Sequence, residues 1–209
     1  MRKLIALLVL IGASRAEAAD LAVTVRTNAG APVADAVVML YPDGPAPSMA
    51  KAHFDWPMRV EQQNLQFSPF VLIVPVGATV AFPNLDRVRH HVYSFSPAHP
   101  FELKLYGNDE TRTVRFDKPG PVALGCNIHD NMVAFIRVVD TPYAAKTDAG
   151  GLAQLRDLPA GGASLHVWRP YLKAPNNEVA RTVILPRAGG ATETVAVELH
   201  PPPPMQAMY

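Results

Sequence analysis

The sequence predicts an all-β protein, and two observations carry that expectation. Twenty-one prolines among 209 residues are about twice the usual share of roughly 5%, and they are scattered where a long helix would need an unbroken hydrogen-bond ladder. Between them lie short runs rich in Val, Thr and Phe, many alternating apolar with polar, separated by Gly, Pro, Asn and Asp. Runs of this kind, repeated about every ten residues, are the pattern of a β-sandwich or small barrel.

The chain opens Met1-Arg-Lys3, continues with an apolar run from Leu4 to Ile11, and reaches Ala16-Glu-Ala18. That is the layout of a secretory signal peptide over residues 1–18, its apolar run far shorter than the ~20 residues of a membrane span. Cleavage is expected after Ala18 or Ala19, with export to a bacterial periplasm and no membrane span in the mature chain. Leu21 to Arg26 alternates like a half-buried strand, Asn28 to Pro32 reads as a turn, and Val33 to Leu40 as a second strand. Residues 41–62 keep no period and read as loop with at most one helical turn. Phe67 to Val74, Val76 to Phe82, His90 to Phe95, Phe101 to Tyr106, Arg112 to Phe116, the run ending at Cys126, and Met132 to Val139 are the next strands. Beyond Asp140, turn signals alternate with strands at Ala163 to Arg169, Arg181 to Leu185 and Thr192 to Leu199. Residues 201–209, beginning with four prolines, read as an extended mobile tail.

Removing residues 1–18 takes Arg2, Lys3, Arg15 and Glu17 from 19 basic and 18 acidic residues and leaves a nearly neutral chain. With neither a basic run nor aromatic-basic interleaving, nucleic acid and anionic membrane surfaces are poor partners. The single cysteine, Cys126, cannot form a structural disulfide within the chain. In an oxidising compartment an unpaired thiol calls for protection by burial or by metal ligation.

Cys126-Asn-Ile-His129-Asp-Asn-Met132 places a thiolate, an imidazole and a thioether in one short loop between two strands. Such a donor set suits a soft ion such as copper, with a second imidazole expected from a strand distant in sequence, and His90 and His91 are the candidates. The plainer reading is a buried free cysteine beside an incidental His and Met. His53, His99, His166 and His200 read as ordinary polar residues, Trp168 as core, and Asp148-Ala-Gly-Gly as a turn without the acidic positions of a calcium loop. The Met205-x-x-Met208 pair reads as part of the tail.

Over roughly residues 66–140 the chain resembles the cupredoxins of the plastocyanin and amicyanin kind. Cys126-x-x-His129-x-x-Met132 has the spacing of the short amicyanin-like loop, and Gly120 stands six residues before Cys126 where that family starts its ligand strand. Val74-Pro-Val-Gly-Ala-Thr-Val-Ala-Phe82 is similar to a strand of the family, and Asn84 and His90-x-Val92 stand at the offsets of its Asn and first ligand. The resemblance implies a Greek-key β-sandwich holding one copper ion between His90, Cys126, His129 and Met132. Asn84 and His91 are then supporting groups or alternative ligands. Spacing from Phe82 favours His90, whereas strand alternation groups His91 with Tyr93 and Phe95 on the more apolar face. The chain departs from the family at His91, Leu124, Ile128 and Asp130.

The flanks carry a second resemblance. Gly30-Ala-Pro-Val-Ala-Asp-Ala-Val-Val38 and the stretch from Thr147 to Val167 are similar to parts of the carboxypeptidase-regulatory or transthyretin-like β-sandwich. The expected organisation is a split sandwich of residues 19–45 plus 141–200, with a cupredoxin-like copper domain of residues 46–140 inserted. Two sandwiches in series are the alternative. The whole layout resembles periplasmic proteins of the methylamine-utilisation or plastocyanin-like kind. It implies a one-electron carrier working with a cytochrome or a dehydrogenase. Copper delivery or storage, or a partner-binding sandwich with a degenerate metal site, are the competing readings. An enzyme is not expected, since Cys126 and His129 come with no recognisable oxyanion hole or orienting group.

Overall fold

A computed structural model gives the fold and describes residues 18–45, 48, 49, 52 and 54–201. The body of the expected signal peptide, His53 and the tail methionines lie outside the described residues. Sixteen strands follow in chain order: β1 (Ala19–Thr27), β2 (Val37–Pro42), β3 (Glu61–Gln63), β4 (Gln66–Ser68), β5 (Val71–Pro75), β6 (Ala78–Pro83), β7 (His90–Ser94) and β8 (Phe101–Tyr106). The second half comprises β9 (Thr111–Phe116), β10 (Gly120–Cys126), β11 (Val133–Val139), β12 (Ala144–Lys146), β13 (Leu152–Leu158), β14 (Gly161–Trp168), β15 (Glu178–Leu185) and β16 (Gly189–Val197). The protein is all-β, as its composition requires.

The strands at the two ends of the chain form two sheets, ordered β13-β1-β16 and β12-β2-β14-β15. Their facing sides share one core, including Leu21, Val23, Val38, Leu40, Leu165 and Val167. The strands between them form a five-stranded sheet, β5-β11-β10-β7-β8, with the pairs β6-β9 and β3-β4. Those enclose a second core that includes Phe82, Val92, Leu124, Ile136 and the sulfur residues Cys126 and Met132. A third cluster joins the two units. Val37, Met39 and Trp168 from the outer face of the four-stranded sheet pack on Val71, Ile73 and Val139 of β5 and β11, ringed by an Arg137–Glu178 ion pair at 2.7 Å and a Tyr41 hydroxyl that donates to Asp140.

Three local differences from the sequence reading have physical causes. β13 was not expected, because Leu152-Ala-Gln-Leu-Arg is built from helix-favouring residues; pairing along β1 overrides that preference. The hairpin β3-β4 lies partly in the stretch read as loop, since its strands are short and polar and its turn is Asn64-Leu65 in place of the Asn-Gly that marks such turns. Both turn residues have positive φ, 56° and 57°. Finally, the apolar run from Phe67 to Val74 is two strands, broken at a cis Ser68–Pro69 bond.

Candidate metal centre

The site forms where two neighbouring strands end. β7 and β10 are antiparallel, with Cys126 opposite Val92 and Gly125 opposite Tyr93. On β10 the side chains of Val122, Leu124 and Cys126 turn into the core, and on β7 those of His90, Val92 and Ser94 do so. The inward face of β7 is therefore the His90 face. The alternation argument for His91 is corrected: Tyr93 and Phe95 are apolar but lie on the outer face, with Phe95 83% exposed. His91 points the same way and binds Glu102 there, Nε2 to Oε1 at 2.8 Å. It takes no part in the cluster.

The loop after β10 is closed by its own backbone. The Asn127 amide donates to the His91 carbonyl, that of His129 to Cys126, and that of Met132 to His129. This tight return brings His129 over Cys126 and puts Met132 into the core, where it is fully buried. Three donor atoms converge. Cys126 Sγ lies 3.8 Å from His90 Nδ1 and 3.6 Å from His129 Nδ1, and the two Nδ1 atoms are 3.2 Å apart. His90, Cys126 and His129 are the one group of three or more such residues among the described residues with ligand atoms all within 4.8 Å of one another.

The far side of His90 fixes its chemistry. Its Nε2 lies 2.8 Å from Asp86 Oδ2, so a proton sits on Nε2 and Nδ1 is the nitrogen that faces the cluster. The Asp86 carboxylate is itself held by the amides of Asn64, at 2.6 Å, and Leu65, at 3.1 Å. Successive backbone amides in the left-handed region form a small anion-binding nest, which here is the turn of the β3-β4 hairpin. Burial alone would raise the carboxyl pKa, but the hydrogen bonds from His90, Leu65 and Asn64 outweigh it and hold Asp86 below its ordinary range. Asp86 is the supporting residue that sequence reasoning missed. Its signal was faint: a carboxylate four residues before a candidate ligand, in a loop.

Asn84 anchors that loop from below. Its side chain accepts from the Asp86 amide and donates to the carbonyls of Val88 and Tyr106, while itself 1% exposed. Tyr106 is pinned in turn by Gln62 at 2.6 Å and by the Phe82 carbonyl at 2.8 Å, and burial pushes its phenol up to about 12. His129 is the partly exposed member of the cluster. Burial, then the neighbouring His90, lowers its pKa, with Asp86 opposing.

The donor set meets a simple test of fit. Metal bonds to imidazole nitrogen and thiolate sulfur of about 2.0–2.3 Å imply donor separations of roughly 3.5–3.8 Å around a trigonal centre. The two sulfur–nitrogen distances fall in that range, and the nitrogen–nitrogen distance a little below it. Two imidazole nitrogens aimed at one point within 3.2 Å also need a proton or a cation between them. The cluster is thus a group that could hold a metal ion, and its soft thiolate and imidazoles match copper or zinc better than calcium or magnesium.

No family model and no curated protein matches the chain. Solved structures similar to part of it include cupredoxins and a copper-containing reductase. A copper-containing nitrite reductase from Thermus scotoductus SA-01 is 32% identical over 46% of this chain, at a TM-score of 0.38. The match spans a quarter of that reductase, 25%. A purple cupredoxin from Nitrosopumilus maritimus is 22% identical over 39% of this chain and 98% of its own, at 0.35. A point mutant of amicyanin in its reduced state is 20% identical over 49% of this chain and 98% of its own, at 0.37. Scores of this size carry no argument for function, which rests on the donor geometry alone.

Proposed function

We propose that the protein is a periplasmic one-electron carrier whose cofactor is a single copper ion held by His90, Cys126, His129 and Met132. The observation that supports this most is the convergence of two Nδ1 atoms and one Sγ on a common point, with the His90 tautomer set by Asp86. A copper ion there would supply a reversible one-electron couple. The chain's own part is to aim the donors. Asp86 holds the proton on the far nitrogen of His90, burial keeps bulk water from Cys126, and the loop backbone fixes His129 at the rim. Met132, buried beneath the loop, is the fourth donor of this reading.

In the same reading residues 46–140 form the copper domain, inserted into a sandwich of residues 19–45 and 141–200. His129 is the exit toward a cytochrome or dehydrogenase. One equivalent of Cu(II) added to the purified mature protein tests it. An intense thiolate-to-copper absorption that disappears in Cys126→Ser is the expected result. A pale spectrum at full copper occupancy would exclude the carrier role.

A further inference from the structure

We propose that the cleft between the two units is a binding site for a small amphiphilic anion, a flat apolar body of one or two rings bearing a carboxylate. The proposal is independent of the metal reading.

The cleft has a volume of about 540 Å³, within the ~300–1,000 Å³ of ligand pockets, and it lies at a junction between packed units, where such sites concentrate. One wall is β5 with the segment leading into β3; the other is β12 and β13. Its apolar surface open to an occupant comes from the ring of Trp56 with Pro57, Pro69 and Ala145, while Val71 and Ile73 are the buried strand edge beneath. The indole is fixed in place: its Nε1–H donates to the Ile73 carbonyl at 2.7 Å, and Phe54 packs at a 5.1 Å ring separation. With its one donor spent, Trp56 offers only apolar surface to an occupant.

β5 is the edge of its sheet, and an open edge would suit an extended peptide. Here it is capped. Lys146 Nζ donates to the Val71 carbonyl at 2.9 Å, and Trp56 closes the Ile73 carbonyl. A strand-forming partner would have to break both bonds, so the occupant that fits is a small molecule.

The rim supplies the charge. Lys146 uses two of its three donors, on Val71 and on Asp35 at 3.0 Å, which leaves one for a ligand. Arg59, 53% exposed, binds Glu61 through one nitrogen and keeps further N–H groups for an anion. Each cation is thus paired once, with Asp35 or Glu61, and an anion would be held by the N–H groups left over. The apolar body would rest on Trp56, Pro57, Pro69 and Ala145, with the carboxylate at the Lys146 and Arg59 rim.

Titration calorimetry on the purified full chain tests this with three matched probes: 2-naphthoate, 2-naphthamide and 2-naphthylmethylammonium. The expected result is saturable binding of one naphthoate per chain, with the amide about tenfold weaker and the ammonium weaker still, since one charge-assisted hydrogen bond carries about that factor. Lys146→Gln should weaken naphthoate about tenfold and leave the amide unchanged. Arg59→Gln, which alters only an exposed pair, should act in the same direction without touching the β5 edge. No saturable binding, equal affinity for all three probes, or unchanged naphthoate affinity in both folded variants would overturn the proposal.

Discussion

Asp86 does two things for His90: it sets the tautomer, and it places a negative charge one imidazole away from the cluster. Both effects should show in the copper-loaded protein. Asp86→Asn is expected to weaken metal affinity about 10–100-fold, the usual consequence of losing a partner behind a ligating imidazole. It should also raise the reduction potential, because the lost charge favours the more positive oxidised ion; voltammetry on wild type and variant checks the sign. The metal-free protein has its own pH signature. The pKa of His129 lies below the ordinary 6.5 when folded, so the unfolded chain takes up its proton first and stability falls as pH drops below about 6.5. The pKa of Asp86 lies below its ordinary 3.8 when folded. Its contribution is full above that value and is lost as pH falls through the folded pKa. Thermal melts of apo protein should therefore show a first loss between pH 7 and 5, absent in His129→Gln, and a second below pH 4. That Cys126 and His129 come together was legible in the sequence because one loop carries them. Which of His90 and His91 faces inward was not, because hydrophobicity alone misjudged a strand whose outer face carries Tyr93 and Phe95.

Most strands could be read from alternation and turn residues, and those missed are the ones whose local sequence argues against them. The β3-β4 hairpin is the consequential case, since its turn amides hold Asp86. Leu65 sits there at φ 57° and 47% exposed, so it bears the cost of a left-handed backbone and recovers little by burial. Leu65→Gly keeps the amide and removes that strain. It should stabilise the apo protein by roughly 0.5–1 kcal/mol in chemical denaturation, because the backbone penalty exceeds the small apolar loss. On β10 the need runs the other way. A Cβ on Gly125 would lie 2.8 Å from the Tyr93 ring on the outer face, so Gly125→Ala must displace that ring. The expected destabilisation is about 1–3 kcal/mol, read in chemical denaturation of the metal-free protein.

At the scale of the molecule, the apolar cluster around Met39, Ile73 and Trp168 joins the two units, and they are expected to unfold together. Ile73 is 1% exposed, and Ile73→Ala should cost about 2–5 kcal/mol. Near-ultraviolet and β-sheet circular dichroism should be lost together on heating this variant; separate transitions would show that the units melt independently. The need for such a seam was not legible, because Val37, Met39 and Trp168 on one unit and Val71, Ile73 and Val139 on the other read simply as core until both sheets are in place. β11 gives the seam a further meaning. It leaves the site loop just after Met132 and ends bolted to the other unit through Val139 and the Arg137–Glu178 pair. The second unit is in effect a mount: whatever grips it would present the histidine rim at a set distance and angle.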